Sequence, residues 1–308
     1  MNQNQNQNRI KNDTFYMSCD YAYPPFKNGK YMEEYFLEFM QENNLTTDKH
    51  GRLYIPALWT NFQVHAAFRN PQLRHEMQMA LIQYVQENPS PMGYFIVVQH
   101  DDGCFLQLPP NTLIYSGGGT GNVMLPLIYQ DIKQTLVRTP RLSFQEKTIL
   151  CSFVGNDTHF VRTKMTEILG GRPGFQIGTK KEWTTHVPQE KQHDFVETTR
   201  RSRFALAPRG YGRSSFRFYE VLELGTVPIY VWDDMEWLAY KEVVDYSKFS
   251  ISIHVSQLPG LEARLLAIDE TAYGEMLLNY QKINSVFGLD FMCRYITSDS
   301  IVDKTYLG

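Results

Sequence analysis

The stretch SRFALAPRGYGRSSFRFYEVLELGTVPIYVWDD, residues 202–234, decides the fold. It reads as strand, glycine loop, helix, strand. Residues 204–207 form a short apolar run, and 208–212 make a turn containing Gly210 and Gly212. Ser214 or Ser215 can cap a helix that runs to about Leu224, and Gly225 stops it. Residues 227–231 then give a buried strand.

The charges in this stretch are unusual. Arg213 and Arg217 fall at or in the first turn of the expected helix, where the macrodipole favours acidic residues. Six arginines lie between Arg200 and Arg217. A cationic helix start is destabilising unless an anion sits on it, and a helix N-terminus after a glycine loop is a natural phosphate site. The pattern therefore predicts a phosphate or diphosphate ligand. The competing reading is a solvated face with scattered ion pairs.

Working outward, 308 residues with 43% hydrophobic and 14% aromatic content can build two ordinary domains or one large one. A formal charge of −3 argues against general nucleic-acid binding. The cysteines, Cys19, Cys104, Cys151 and Cys293, form no CxxC pair, which argues against a compact zinc site and fits buried thiols in a reduced intracellular protein. No apolar run is long enough to span a bilayer. The opening MNQNQNQNRIKN is polar and of low complexity, so residues 1–12 are expected to be a disordered tail rather than a signal peptide.

In chain order, 14–19 is a strand candidate, 31–42 an amphipathic helix, 53–58 a strand, and 71–87 a helix with Leu73, Met77, Leu81, Tyr84 and Val85 at helical spacing. YFIVVQ (94–99) is the continuous apolar strand that parallel sheets bury on both faces. Residues 122–127 and 148–153 are further strands, and a helix follows from about 158 to 169. Beyond the opening stretch come a strand at 250–255 and helices over 258–267 and 271–286. This alternation implies βαβ units and a doubly wound α/β architecture. The expected division is 13–142, 143–285, and a helical C-terminal segment, 286–308, packing back on the first domain.

Three constellations carry chemistry. Ser215, Arg217 and Glu220 have the spacing S-x-R-x-x-E, which puts Arg217 and Glu220 on one helix face. They serve either as a cap with an internal ion pair or as holders of a diphosphate and a ribose. His100, Asp101 and Asp102 follow the 94–99 strand, at the end where ligands of open α/β sheets bind; a carboxylate there suits general-base work, and a plain turn is the alternative. The run Gly117, Gly118, Gly119, Thr120, Gly121 has no clear strand before it and no lysine after it, so it reads as a surface loop rather than a phosphate loop.

The opening stretch resembles the exostosin-type glycosyltransferases, family 47 of the inverting nucleotide-sugar transferases. Their pattern S-x-F-C-L-x-P-x-G, S-x-R-x-x-E, G-C-I-P-V is met here by Ser202, Phe204, Leu206, Pro208 and Gly210, then Ser215, Arg217 and Glu220, then Gly225, Val227, Pro228 and Ile229. Ala205 and Thr226 stand where cysteine is usual. Upstream, LYIPALW (53–59), YFIVVQHDDGCF (94–105), NVMLP (122–126) and SFVGNDTHFVRTKM (152–165) resemble family segments in the same order, the second with one residue fewer between Gly103 and Cys104. The resemblance covers roughly residues 15–260.

It implies a GT-B fold, in which two facing Rossmann-like domains hold the active site in the cleft between them. The N-terminal domain takes a glycan acceptor, an oligosaccharide or glycoprotein, and the C-terminal domain takes a UDP-sugar. The chain would be a short, soluble, cytoplasmic form of the kind that large algal viruses encode. Asp101 is the first choice as general base, with Asp102, His100 and Asp20 as fallbacks. Arg162, Arg209, Gly210, Gly212, Arg213, Ser214, Ser215, Arg217 and Glu220 would hold the nucleotide sugar. These donors would take the place of a divalent cation, so no cofactor and metal-independent activity are expected. Xylose is the expected sugar, by resemblance to plant and viral xylosyltransferases. A non-catalytic glycan- or nucleotide-binding module and an RNA-binding protein are the readings from other classes; the pI near 6.3 disfavours the second.

Overall fold

The computed structural model describes residues 9–18, 22–180 and 184–299. The chain forms two compact units. Of the described residues, the first takes those up to 18, Lys30–Gln130 and 288–299; the second takes 22–29 and Asp131–Phe287.

The first unit begins with Met32–Glu42 (α1), Leu53–Tyr54 (β1), Trp59–Val64 (α2) and Pro71–Glu87 (α3). Pro71 opens α3 where its missing N–H costs nothing, and Asn70 caps it by accepting from the N–H groups of Gln72 and Leu73. Tyr94–Val98 (β2), Thr112–Ser116 (β3) and Val123–Met124 (β4) complete a parallel sheet in the order β1-β2-β3-β4. All five residues of β2 are buried. Ile96 and Val98 join Phe62, Met77 and Leu81 in one core. Phe95 points the other way, against Phe36 of α1 and Tyr115 of β3. Burial on both faces is why this strand reads as an unbroken apolar run, and each such side chain contributes about 1.5–3 kcal/mol.

Several expectations for this unit need correction. Residues 14–19 are not a strand. Asp13–Tyr16 is a 3-10 helix capped by Asn12, with Phe15 buried against Trp59 and Phe62; residue 19 lies outside the described residues. The expected tail is shorter than 1–12: Ile10 is buried, and its N–H donates to Tyr16 Oη at 3.1 Å. Residues 1–8 lie outside the described residues. LYIPAL yields a strand of only two residues, because Pro56 has no N–H for a ladder and α2 starts at Trp59. Residues 122–127 likewise give only Val123–Met124. A strand does precede the glycine run, namely β3.

The second unit runs Ile149–Asn156 (β5), Phe160–Leu169 (α4), Phe175–Lys180 (β6), Gln189–Arg200 (α5), Ser202–Pro208 (β7), Phe216–Glu223 (α6), Val227–Trp232 (β8), Ile251–His254 (β9), Leu261–Leu266 (α7) and Glu270–Ile283 (α8). Its sheet is parallel, in the order β6-β5-β7-β8-β9. Phe204, Leu206, Ile229 and Val231 pack with Val161, Met165, Leu261 and Leu265 on one side. The other side is aromatic, with Phe218 meeting Tyr219, Tyr230 and Tyr246.

Leu289–Thr297 (α9) belongs to the first unit, where Lys49 N–H donates to Ile296 O at 2.9 Å and Tyr35 Oη to Asp290 at 3.3 Å. Residues 22–29 lie on the second: Phe26 packs on Phe195, and Asn28 donates to Asp131 at 2.5 Å. The chain is thus an α/β protein, as the alternation of elements predicts, and it has the two Rossmann-like units that the resemblance implies. Among the described residues no helix is long and apolar enough to cross a membrane. Cys104, Cys151 and Cys293 are free thiols.

Candidate functional site

The loop after β7, residues 209–215, carries most of the predicted anion-binding groups. Arg162 of α4 holds it from below, donating to the carbonyls of Asn156, Pro208 and Arg209 at 2.7, 3.3 and 3.0 Å. The fit at Gly210 is close: a Cβ there would sit 3.1 Å from the Arg162 guanidinium. Tyr230 of β8 donates to the Arg213 carbonyl at 2.6 Å. Gly212, Ser214 and Ser215 are buried in the same loop.

The cations expected to await an anion already have partners. Arg209 donates to Asp233 and to Asp234, each at 2.7 Å, and Arg213 reaches Asp234 at 2.7 Å. Hydrogen bonding from Arg213 holds the Asp234 carboxyl well below the usual carboxylate range. Arg217 pairs with Glu220 at 2.9 Å and lies flat on Phe195, 3.6 Å from the ring centre. The positive helix start is therefore balanced within the chain by three carboxylates. The six arginines are also not one cluster. Arg200, Arg201 and Arg203 stand at the start of β7, engaging Glu197, Thr148 and the Phe144 ring; only Arg209, Arg213 and Arg217 lie past its end. Ser215 takes the N-cap position of α6, but its side chain makes no capping hydrogen bond. Its hydroxyl is not spent on the helix, and the first turn of α6 is an electropositive terminus.

In the first unit, β2 runs into His100, Asp101 and Asp102, which form a turn. The His100 carbonyl accepts from Gly103 N–H at 3.0 Å, and Gly103 takes the positive φ of 75° that the turn needs. Burial favours the neutral imidazole of His100, opposed by the nearby Asp102. Its Nδ1 accepts the Asp102 backbone N–H at 3.2 Å, which puts the ring proton of the neutral form on Nε2. Asp101 is half-buried and Asp102 exposed. Asp20 lies outside the described residues.

The glycine run is not the surface loop the sequence predicts. Gly117, Gly118 and Gly119 are buried. A Cβ on Gly118 would fall 2.5 Å from the Gln99 carbonyl oxygen and closer still to that of His100. Thr120 donates to the Asp101 carbonyl at 2.8 Å. The run is thus the cradle of the His100–Asp102 turn.

Sequence reasoning missed Glu33, which is 2% exposed and accepts from Gln99 N–H at 2.6 Å, from Thr60 N–H at 2.9 Å and from Thr60 Oγ1 at 2.5 Å. Burial pushes its carboxyl up to about 7. It also missed Phe195, and it missed Asp233 and Asp234 as partners, although the quoted stretch ends in those two carboxylates. Among the described residues, no group of three or more His, Cys, Asp or Glu is arranged to hold a metal ion.

A comparison with known families falls on this same loop and helix. Residues 122–268 match the Exostosin GT47 domain family. The exostosin match contains the Arg209–Glu220 loop and helix, whereas His100–Asp102 precede it. A probable glycosyltransferase of Arabidopsis thaliana is 31% identical over 90 residues, covering 29% of this chain and 19% of the relative. The probable arabinosyltransferase ARAD1 of the same plant is 27% identical over 147 residues, covering 46% and 31%. The chain thus spans less than a third of the length of either of these curated relatives. Among solved structures, the C-terminal domain of the glycosyl transferase group 1 family protein LpcC from Francisella tularensis aligns with 49% of this chain and 96% of its own, at 10% identity and a TM-score of 0.32.

Proposed function

We propose that this chain transfers a sugar with inversion from a UDP-sugar to a hydroxyl of a glycan acceptor. The observation that carries the reading is the loop and helix from Arg209 to Glu220, lying within the segment that matches the exostosin domain. Its groups suit a nucleoside diphosphate sugar. Gly210 and Gly212 bring backbone close to a diphosphate, and Ser215 with the first turn of α6 supplies donors to it. Arg217, flat on Phe195, offers a fixed guanidinium face, with Arg213, Arg209 and Arg162 ordering the loop behind it. Glu220 accepts from ribose hydroxyls. Negative charge developing on the leaving UDP is stabilised by these donors, so the reaction proceeds without a divalent metal.

Inversion needs a base on the acceptor hydroxyl. Asp101 fills that role best. His100 has its Nδ1 lone pair engaged by the backbone, so its remaining ring nitrogen is a donor. Asp101 has its main chain pinned by Thr120. A positioned base contributes about 10²–10⁴-fold. The donor is a UDP-pentose, with UDP-xylose the first choice; the arabinosyltransferase name of one relative supports a pentose.

A thermal-shift screen of UDP-sugars, followed by NMR of the product linkage, tests the reading. UDP-xylose should stabilise the protein and yield a β-linked product in the presence of a chelator. Stabilisation by UDP-sugars without turnover on any acceptor would instead favour a non-catalytic binding module. Activity lost to chelator and restored by Mg²⁺ or Mn²⁺ would end the metal-independent reading.

A further inference from the structure

The first unit carries a groove of about 510 Å³ along the first turn of α3, lined by Phe68, Pro71, Arg74, His75, Phe105 and Leu106. This volume lies in the range of small-molecule sites, about 300–1,000 Å³. Phe105 is 46% exposed on the wall of this groove. The ring is held in place. Phe105 N–H donates to Gln63 Oε1 at 2.7 Å, and Gln63 Nε2 donates to the Gly103 carbonyl at 2.8 Å, with Gln63 itself buried. Phe68 packs against Phe105 in an offset, tilted contact, with centroids 5.3 Å apart and planes 32° apart. Phe68 is braced in turn by Phe62 and by the Arg74 guanidinium. Phe105, backed by Phe68, thus forms a platform with Arg74 and His75, both exposed, at its rim.

We propose that this groove is a saccharide-binding subsite, with a sugar ring lying on Phe105, which Phe68 backs, and its hydroxyls bonded to Arg74 and His75. A sugar ring presents one face of C–H groups and an edge of hydroxyls. The C–H face suits the electron-rich face of an aromatic ring, and the hydroxyl edge suits charged and imidazole donors. The location gives the subsite its use. The His100 ring meets the Phe105 ring edge-on at 5.1 Å, so a sugar on this platform lies beside the turn that carries Asp101. That the sugar belongs to an acceptor rests on the glycosyl-transfer reading; that a saccharide binds here does not.

The test uses the full chain on an array of defined oligosaccharides built from xylose, arabinose, galactose, glucose and uronic acids. The strongest binder is then titrated against the wild type, Phe105→Ala, Phe105→Trp and Arg74→Ala, with UDP titrated in parallel. Phe105→Ala should weaken the oligosaccharide about tenfold, the scale of one lost aromatic stack, and leave UDP affinity unchanged. Phe105→Trp should retain binding, which separates loss of the platform from loss of the fold. An array on which nothing binds, or a binder indifferent to Phe105→Ala, overturns the subsite; if UDP binding and transfer persist, the function reading survives it. Platform-dependent saccharide binding with neither UDP binding nor transfer keeps the subsite and removes the transferase.

Discussion

Two loops leave parallel sheets at the carboxyl ends of their strands, and they are held by opposite means. The turn after β2 is fixed by backbone fit: Gly118 packs on its carbonyls, Thr120 bonds one of them, and the buried Glu33 anchors Gln99. The loop after β7 is fixed by its own charges, with Arg209 and Arg213 tied to Asp233 and Asp234. Scaffolding through the main chain suits a turn whose side chain is proposed to exchange a proton. Ion-pair scaffolding suits a loop that must order cationic and N–H groups before a ligand arrives, because ordering done in advance is not charged against binding.

The sharpest way to break this contrast is Asp101→Asn. It should lower turnover by about 10²–10⁴-fold with UDP affinity retained by calorimetry. Wild-type turnover would remove the base from this turn. Arg217→Gln, which can still donate to Glu220, should weaken UDP about tenfold, the scale of one charge-assisted hydrogen bond. An equal loss in Asp101→Asn would mean that the two loops do not divide the work.

Gly118→Ala asks whether the first scaffold is steric. The new methyl must push the carbonyls of Gln99 and His100, so stability should fall by about 1–3 kcal/mol in denaturant titration. Turnover should fall with it while UDP binding holds. A neutral outcome would show that the cradle yields.

A pH profile sharpens the comparison for the second unit. Burial, with Glu220 and Asp131 nearby, raises the Glu223 carboxyl from 4.5 to about 7. The unfolded chain releases this proton first as pH rises, so the stability it supplies is full below about 4.5 and declines as pH climbs towards 7. Glu33 acts in the same direction from the first unit. Thermal midpoints should therefore fall from pH 5 to 7, and Glu223→Gln should reduce the slope without abolishing it. The smallest effect is expected from Asp234→Asn. This half-exposed carboxylate should contribute less than about 1 kcal/mol, and its loss should show best as salt sensitivity of UDP binding.

The sequence made β2, α3 and the β7–α6–β8 unit legible because burial on both faces, helical spacing and glycine punctuation each leave a plain mark. β3 left none. TLIYS is buried mainly at its far end, and the turn before it contains two prolines. Taking it for loop made the glycine run look like surface. Glu33 was hidden for another reason: Glu33 and Glu34 look alike as acids in a helix's first turn, and no spacing rule says that one of them turns inward. The arginines were legible in number but not in place. A seven-residue strand separates the two groups by roughly 20 Å, and applying that length to the sequence would have divided them.

The way the chain alternates between its units bears on how it is made. Residues 22–29 belong with residues synthesised much later, since Phe26 rests on Phe195 and Asn28 on Asp131. The first unit lacks α9 until Gly288 and beyond have emerged. Simple N-to-C completion, the ordinary order for domains on the ribosome, is therefore closed to this chain. The early segment must wait for its partners, the sheet of the second unit emerges before α9 of the first, and Phe26 is a hydrophobic group that stays without its native cover through much of translation.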